Sequence, residues 1–518
     1  MLLESIWIGA AYMLGLLSRF VNLPPLVGYL LAGFLISYLI PIVGVNPEES
    51  ASAKTTLHHI SHLGVILLLF TVGLKLNLKN IFRFEIFGPG LLHFLGISSF
   101  YGLIAFYTFD LDLHTSLYLA IALSFSSTVL SAKGLEAKKE LSSFHGKVAV
   151  GILILQDIIA LIVMSISGGQ LASPLALGLL LLIPLRPLLY RLMDHSGKGE
   201  LFMLLGVFMA VSLGAFAFEY VGLSAELGAL ILGMLVAKHP RSGELSKSLW
   251  AIKEIFLVGF FLKVGLAGLP TTQDWLFAFA FAATLPLKGI LFFVLLIVFK
   301  LRARSSFLSS LSLTAFSEFG LIVANLVLPE WLTPLALCLT LSFIISAPLN
   351  QFSHQIYERI YKFINHLERN TRHPDEQTIY LGDAEVVIIG LGRTGNAAYN
   401  QLITQGNNKI AGIDSNPDKV NFFKEEKKLN AYFGDAEDPL FWEKLNLGNV
   451  TSVLLCIGEI EAKVEATKKL RARNFTGTIA AHCLDEGESK SLKRMGADHT
   501  LLTLNSAGVG LAKCLKGE

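Results

Sequence analysis

Charged residues are scarce in this chain of 518 residues. They make up 16% of the sequence, whereas hydrophobic residues make up 53% and the mean hydropathy is +0.59. This composition excludes an ordinary water-soluble protein over most of the length and is typical of an integral membrane protein. The net charge of +2 at pH 7 leaves no basic surplus that would favour nucleic acid as a partner.

Cysteine pairs and signal-peptide features are also missing. The four cysteines form no CxxC pair and three of them lie in the polar C-terminal part, which predicts reduced thiols in a cytosolic compartment rather than a disulfide framework. The first apolar run has Glu4 near its start in place of the basic residues that begin a secretory signal. We therefore expect this run to be a membrane helix.

Apolar runs follow one another as far as residue 355, and the remainder has the polarity of a soluble domain. The run lengths predict about thirteen transmembrane helices. These spans are roughly 3–18, 25–43, 58–74, 84–108, 113–133, 147–168, 172–192, 200–218, 222–238, 252–269, 273–300, 304–328 and 332–352. We expect a transmembrane transport domain over 1–355, a charged linker over 356–383 and a soluble domain over 384–518.

The breaks between spans alternate in charge. Every second break is rich in lysine and arginine, whereas the others carry mainly acidic residues, with Lys54 as their only lysine or arginine. The positive-inside rule places the basic breaks and the C-terminal domain in the cytoplasm. Because the number of spans is odd, we expect the N-terminus on the opposite, external side of the cell (inner) membrane.

Two pairs of spans resemble each other at an offset of seven. Residues 27–35 of the second span resemble 227–235 of the ninth, and 71–74 of the third resemble 263–266 of the tenth. An odd offset means that the two copies cross the membrane in opposite directions, as in the inverted repeats of secondary transporters. Chance similarity between leucine- and glycine-rich segments is the alternative.

By the same offset the fifth span pairs with the twelfth, and both are unusually polar. The fifth contains Ser127 and Thr128 in a hydroxyl-rich stretch, and the twelfth contains Glu318 followed by Gly320. Such stretches predict the interrupted helices that surround ion sites in transporters. Ordinary contacts of serine and threonine between helices are the alternative for the fifth span.

Asp157 stands with Gln156 at the middle of the sixth span. A charge there costs at least ~2.5–3.5 kcal/mol, so such residues usually mark an ion or proton pathway, although a polar residue bonded between helices is the alternative. A proton and a cation such as potassium or sodium would each neutralise the carboxylate, so binding one would expel the other. Two adjacent carboxylates could carry two protons per cycle. Here one carboxylate stands beside an amide, so we expect one proton to be exchanged for one cation.

Lys288 lies in the eleventh span, about twelve residues from its basic end at Lys300. At 1.5 Å per residue this depth is ~18 Å, which is too deep for easy snorkelling to the interface. We therefore interpret Lys288 as an ion-pair partner of Asp157 when no cation is bound, with snorkelling as the alternative.

The C-terminal segment carries a nucleotide-binding pattern. Residues 385–389 predict a strand that leads into Gly390, Gly392 and Gly395 of a G-x-G-x-x-G turn, and Asp414 ends the next strand, placed to bond ribose hydroxyls. Four further strand candidates alternate with helices, so we expect a doubly wound domain. The acid at 414 disfavours a 2′-phosphorylated dinucleotide.

Several other residues are candidates for this nucleotide site. Arg393 and Thr394 follow the turn, where Arg393 is a candidate phosphate ligand with a surface role as the alternative. Asp435 and Ala436 follow the third strand, beside the expected base, with a helix cap as the alternative for Asp435. His482 is more simply explained as a loop residue.

The chain leaves no room for the substrate domain of a dehydrogenase. The nucleotide is therefore expected to be a regulatory ligand rather than a redox reagent, and the protein is not expected to be an enzyme. NAD(H), AMP and ATP all remain open as adenine nucleotides.

The ordered motifs resemble the Kef-type branch of the monovalent cation:proton antiporter-2 family, which ends in an RCK (TrkA-N) domain. They are 25–33, 69–74, 126–128, 156–157, 228–233, 260–265, Lys288 and 317–320, followed by the glycine turn. The resemblance implies a sodium:proton-antiporter-like fold, a homodimer formed through the membrane and RCK domains, and Asp157 as the cation and proton site. It also implies potassium as the ion and an ancillary regulatory subunit as a partner.

Two positions depart from the family pattern. The segment 239–248 is net basic where the glutathione-gated members have an acidic loop, so control by glutathione does not follow from the resemblance. Lys263 replaces a residue that is usually small, and we expect it to pair with Glu318. A ligand-gated potassium channel is the alternative function, although the only filter-like string, 71–76, lacks the continuation of a selectivity filter.

Overall fold

The computed structural model describes residues 2–43, 47–75, 82–138, 140–141, 143–167, 179, 182–197, 199–368, 381–436, 441–442 and 445–515. Most of the first half of the predicted seventh span and residues 369–380 of the predicted linker lie outside these residues. The chain forms two compact units. The first comprises Met1–Ala132, Ala149–Leu295 and Ser310–Gln351, and the second comprises Lys133–Val148, Leu296–Ser309 and Phe352–Glu518.

Helices make up the part of the chain that precedes residue 352. In chain order they are α1 (Leu2–Phe20), α2 (Pro25–Val43), α3 (Pro47–Lys75), α4 (Phe84–Thr108), α5 (Leu113–Ser124), α6 (Thr128–Ala137), α7 (Phe144–Ser167), α8 (Leu182–His195), α9 (Glu200–Phe208), α10 (Ala217–Tyr220), α11 (Ala225–Val236), α12 (Ser242–Gly265), α13 (Thr272–Ala283), α14 (Leu285–Val298), α15 (Ala303–Ser312), α16 (Glu318–Val327) and α17 (Leu332–Gln351). A π-helical segment, Met209–Phe216, joins α9 to α10.

Six helical segments of the described residues are long and apolar enough to cross a membrane, by length and composition. They are Thr55–Leu74, Phe84–Thr108, Phe144–Met164, Glu200–Tyr220, Thr272–Val298 and Pro329–Gln351. Five further apolar helices are shorter, among them α5 and α16, which are halves of the predicted fifth and twelfth spans. The helical bundle confirms the predicted fold class of the N-terminal part.

The inverted repeat is confirmed by two close helix contacts that the repeat relates to each other. The sequence match equates Gly33 with Gly233 and Gly73 with Gly265. In the fold α2 meets α12, where a Cβ on Gly33 would lie 2.6 Å from the Cα of Gly265. Likewise α3 meets α11, where a Cβ on Gly233 would lie 3.0 Å from the Cα of Gly73. Exchanging the two repeats converts one contact into the other.

The fifth and twelfth spans are both interrupted, as predicted. α5 ends at Ser124 and α6 begins at Thr128, while α15 ends at Ser312 and α16 begins at Glu318. The two breaks meet each other through an antiparallel bridge between Ser126 and Phe316. We call this meeting of residues 125–127 and 313–317 the crossing.

The second unit contains a parallel six-stranded sheet. Its strands are β1 (Val386–Ile389), β2 (Ile410–Asp414), β3 (Ala431–Phe433), β4 (Ser452–Leu455), β5 (Thr478–Cys483) and β6 (His499–Leu502). Its helices are α18 (Ser353–Asn365), α19 (Arg393–Thr404), α20 (Pro417–Glu425), α21 (Ile460–Ala472), α22 (Glu486–Arg494) and α23 (Thr503–Cys514). The strand order is β3-β2-β1-β4-β5-β6, which is the doubly wound dinucleotide-binding topology, and the predicted Rossmann-like fold is confirmed.

Candidate functional site

Lys288 of α14 is fully buried and bonds to the carbonyl groups of the crossing. Its Nζ donates a hydrogen bond to the Phe125 carbonyl at 2.7 Å and lies 3.5 Å from the carbonyl oxygens of Leu123 and Ala315. These carbonyls lie where α5 and α15 end, and helix C-termini carry a partial negative charge. Lys288 therefore neutralises the two negative half-helix ends.

Glu318 balances the opposite ends of the broken helices. It is the first residue of α16 and is buried. Its carboxylate accepts hydrogen bonds from Ser127 Oγ at 3.1 Å and Thr128 Oγ1 at 3.0 Å, at the start of α6. Since helix N-termini carry a partial positive charge, the carboxylate stabilises both of them.

Asp157 differs from these two charges in its surroundings. It is 3% exposed, and no described residue donates a hydrogen bond to its carboxylate or forms an ion pair with it. Its neighbour Gln156 is fixed, because Gln156 Oε1 accepts a hydrogen bond from the Ser126 N–H of the crossing at 2.8 Å. The structure thus brings a buried carboxylate without a partner, among the described residues, next to an amide that is bonded to the crossing.

The two predicted ion pairs of the membrane part are wrong in this structure. Lys288 bonds to backbone carbonyls instead of Asp157. Lys263 donates to Asn325 Oδ1 at 3.2 Å instead of pairing with Glu318, whose carboxylate is occupied by hydroxyl groups. The physical reason is that the buried ends of the broken helices bind Lys288 and Glu318, and a sequence does not show where those ends point.

Sequence reasoning missed His93, which holds the helix that carries Lys288. His93 is fully buried in α4, its ring stacks on Phe292 with a centroid distance of 3.3 Å, and its Nε2 lies 3.2 Å from the Lys288 carbonyl oxygen. A histidine in the middle of an apolar span was the available signal. His93 fixes the position of α14 at the level of the crossing.

The glycine turn after β1 has the geometry of a phosphate cradle. Gly390 has φ +98°, and a Cβ there would lie 2.7 Å from the Cys456 carbonyl. A Cβ on Gly395 would lie 1.9 Å from the Gly390 oxygen, so the helix packs directly on the turn. A Cβ on Gly392 would meet no described atom within 4 Å, which leaves space at the N-terminus of α19, where anions bind.

Asp414 is placed at the end of β2, as predicted, and is nearly buried. Its carboxylate accepts hydrogen bonds from the backbone N–H of Leu391 at 2.7 Å and of Asn416 at 2.8 Å. The Lys419 ammonium lies 3.4 Å from it. These bonds fix the carboxylate next to the glycine turn, and Oδ1, which accepts one of them, retains a further acceptor position.

A cavity of about 200 Å³ lies over this end of the sheet, wholly within the second unit. Its lining residues are Lys138, Glu140, Ser143, His145, Ile389, Gly390, Gly392, Ile413, Asp414, Ser415, Lys419, Gly434, Asp435, Ala436, Cys456, Ile457, Gly458, Glu459 and Ala462. Burial raises the pKa of the Cys456 thiol to about 11, so this thiol is neutral at physiological pH. The sequence did not predict that Lys138, Glu140, Ser143 and His145 line this cavity, because no motif marks them.

The remaining predicted nucleotide residues divide between the cavity and its surroundings. Asp435 and Ala436 line the cavity, and Asp435 Oδ2 accepts a hydrogen bond from Arg304 Nε at 3.0 Å. Arg393 and Thr394 begin α19 outside the cavity lining, and the Arg393 side chain is exposed. His482 bonds to the Ile457 carbonyl at 2.9 Å, and burial lowers its pKa, consistent with a structural role.

The chain belongs to the sodium/hydrogen exchanger family. Residues 8–350 match the family model described as "Sodium/hydrogen exchanger, transmembrane", and residues 386–503 match the TrkA-N domain. The class that the fold and these matches define is a membrane cation/proton antiporter with a C-terminal TrkA-N domain.

Among curated relatives, the chain is similar to YbaL of Escherichia coli (strain K12), whose name describes a candidate cation/proton antiporter. The two are 25% identical over 527 residues, which covers 95% of this chain and 93% of YbaL. It is also 26% identical over 533 residues to the glutathione-regulated potassium-efflux system protein KefC of Klebsiella pneumoniae (strain 342), covering 95% of this chain and 81% of KefC.

A solved structure shows the same membrane fold. The sodium proton antiporter MjNhaP1 of Methanocaldococcus jannaschii superimposes with a TM-score of 0.50 at 13% identity, covering 69% of this chain and 97% of that chain. The similarity concerns the fold alone.

Proposed function

We propose that this protein exchanges potassium for protons at Asp157 and that an adenine nucleotide bound at the TrkA-N domain regulates the exchange. The observation that carries the proposal is the contrast among the buried charges at the crossing. Lys288 and Glu318 are bonded to the ends of the broken helices, whereas Asp157 has no partner among the described residues. Asp157 is therefore the carboxylate whose charge a transported ion can neutralise.

Exchange follows from competition for one carboxylate. A buried negative charge is costly unless a proton or a cation neutralises it, so each ion that enters displaces the other. Gln156 cannot take up a proton, and its side-chain oxygen is bonded to the crossing. One proton for one monovalent cation is the expected stoichiometry, and the exchange is then electrically neutral.

Potassium is proposed because KefC, a relative over most of both chains, carries potassium efflux in its name. Control by glutathione is not part of the proposal. The basic segment 239–248 is bonded to α8, since His239 lies 3.2 Å from Asp194 and Arg241 Nη1 donates a hydrogen bond to the Met193 carbonyl. No acidic loop occupies this place in the sequence.

The nucleotide part of the proposal is supported by the cavity. Gly392 leaves room for a phosphate at the N-terminus of α19, and Asp414 is held at the edge of the cavity for ribose hydroxyls. NAD(H), AMP and ATP share these groups. We also propose a homodimer, an N-terminus outside the inner membrane and a cytoplasmic TrkA-N domain.

The function is tested with the purified full-length protein in proteoliposomes that contain a pH-sensitive dye. An imposed potassium gradient should move protons, and sodium in place of potassium measures the selectivity. Asp157→Asn should abolish proton movement, whereas Asp274→Asn, at an exposed helix start, should leave it unchanged. A voltage without proton movement would indicate the channel, and exchange by Asp157→Asn at the wild-type rate would refute the assigned site.

A further inference from the structure

The first turn of α7 lies against the edge of the sheet that carries the nucleotide cavity. Lys147 Nζ donates hydrogen bonds to Asn416 Oδ1 and to Asp418 Oδ2, at the start of α20. Phe144 is buried, and its ring meets the ring of Phe433 edge-on with a centroid distance of 6.2 Å. All of these residues belong to the second unit. The helix α7 therefore begins in contact with the carboxyl ends of β2 and β3.

Asn416 connects Lys147 with the residue that is proposed to bind the ribose. The Asn416 side chain accepts a hydrogen bond from the Asp418 backbone N–H at 3.0 Å, so it caps α20. The Asn416 backbone N–H donates to Asp414 Oδ1 at 2.8 Å, and Asp414 lines the nucleotide cavity. Three hydrogen bonds of one residue thus join Asp414, the start of α20 and Lys147. A ligand that shifts Asp414 shifts the partners of Lys147 with it.

The helix α7 can transmit such a shift to the transport site. Asp157 follows Lys147 by ten residues, which is about 15 Å along a helix axis. α7 is continuous over Phe144–Ser167 and contains no proline, the residue at which helices most often kink. Gln156 of the same helix bonds to the Ser126 N–H of the crossing. A displacement of the first turn therefore reaches both the bonded amide and the carboxylate beside it.

We propose that Lys147 couples nucleotide binding to transport by holding the start of α7 to the turn that follows Asp414. The inference rests on the proposed nucleotide regulation and names the residue through which it acts. A nucleotide whose ribose bonds to Asp414 stabilises one position of Asn416, and Lys147 transfers this preference to α7. Regulation requires that the nucleotide bind the two states of α7 with different affinities.

A second lysine pair in the same unit provides a matched control. Lys409 pairs with Glu385 at 2.6 Å, and both side chains are about half exposed. These residues precede β2 and β1, so the pair lies at the amino ends of the strands, whereas Lys147 bonds beyond their carboxyl ends. Exposed pairs of this kind contribute little to stability. Lys409→Met therefore removes the same type of interaction without touching the start of α7.

The test measures potassium-driven proton movement by the full-length protein in proteoliposomes, with and without NADH on both sides of the membrane. In the wild type, NADH should change the half-saturating potassium concentration by about 5-fold or more. In Lys147→Met, which keeps an unbranched side chain but loses the ammonium group, this change should be lost. Calorimetry should still show NADH binding to Lys147→Met, because the glycine turn and Asp414 are unaltered.

Hydrogen exchange supplies a readout that a purely structural role of Lys147 would not move. In the wild type, NADH should alter the exchange rates of the backbone amides in the first turn of α7, and in Lys147→Met it should not. Lys147→Arg keeps the charge and the donors, so it should restore both responses to NADH. Lys409→Met should behave as the wild type does in both measurements.

A variant at the partner residue covers the case that Lys147→Met does not fold. Asp418 is 73% exposed, so Asp418→Lys should fold, and it places a second cation beside Lys147 and should likewise abolish the NADH response. A response of wild-type size in Lys147→Met or in Asp418→Lys would overturn the coupling role of Lys147 and leave nucleotide regulation in place. Absence of any response of the wild type to NADH, AMP and ATP would refute nucleotide regulation and this inference with it.

Discussion

The buried charges near the crossing differ in what compensates each of them. Lys288 and Glu318 each face the ends of two broken helices, and the helix dipoles offset the cost of burying their charges. Asp157 has no such compensation among the described residues, so its ionised form needs a bound cation. Under the proposed function, the same fold holds two charges permanently and leaves Asp157 for the transported ions to neutralise.

Replacing Lys288 tests whether its charge compensates the two helix ends at the crossing. Lys288→Met removes the donor to the buried Phe125 carbonyl and leaves two negative helix ends uncompensated. We expect a loss of about 1–3 kcal/mol of stability and slower exchange, because an unpaired buried polar group carries its full desolvation cost. Thermal unfolding in detergent and the proteoliposome assay measure the two effects.

Two further variants serve as controls for the unfolding measurement. Lys288→Arg keeps a donor and the charge and should retain most of the stability. Lys247→Met makes the same change at an exposed position of α12 and should unfold as the wild type does. Unfolding of Lys288→Met at the wild-type temperature would contradict the compensating role.

At the scale of elements, glycine decides how closely the repeated helices approach. The pairs Gly33–Gly265 and Gly73–Gly233 place backbone against backbone, so neither contact has a side chain that could move aside. Close approach of small residues is a common means of helix association in membranes. These contacts hold the helices of the two repeats together.

Gly33→Ala tests this packing. The added Cβ would lie 2.6 Å from the Leu262 carbonyl oxygen, so α2 and α12 must separate. We expect destabilisation by about 1–3 kcal/mol or more, as for other overpacked contacts. In Gly9→Ala the new Cβ meets no described atom within 4 Å, and this variant should be neutral or slightly stabilised in thermal unfolding. Equal stability of the two variants would refute the close contact.

The sequence predicts elements better than it predicts the partners of charges. Apolar length and hydroxyl-rich breaks are local properties, so six long apolar helices, both interruptions and the Rossmann strands could be predicted. The glycine turn and Asp414 could be predicted because their spacing is fixed by one β-α-β unit. The partners of Lys288 and Lys263 could not, since these depend on where distant helix ends point. Glu140 and His145 line the nucleotide cavity although they precede the next lining residue, Ile389, by 249 and 244 residues, and no periodicity in the sequence predicts that contact.

At the scale of the whole molecule, the chain passes between the two units within α6, α7, α14 and α15, and again after α17. α7 carries His145, which lines the nucleotide cavity, and Asp157, the proposed transport residue. α15 carries Arg304, which bonds to Asp435 of the cavity lining, and it ends just before the crossing. α7 therefore has residues of both candidate sites, and α15 joins a contact of the nucleotide cavity to the crossing. This connectivity gives the proposed regulation a physical route, because a displacement of either helix changes contacts in both units.

Reciprocity provides a test of this coupling. If a bound nucleotide changes the affinity for the transported cation, the cation must change the nucleotide affinity by the same factor. We expect the affinity for NADH to differ between potassium chloride and choline chloride of equal ionic strength, by about 5-fold or more if the coupling has the usual size. In Asp157→Asn the difference should vanish, because the cation no longer binds where α7 senses it, whereas Asp274→Asn should retain it. If NADH altered the exchange rate while its affinity stayed identical in the two salts, the nucleotide would act on the rate of a step and not on the equilibrium between the two states of α7.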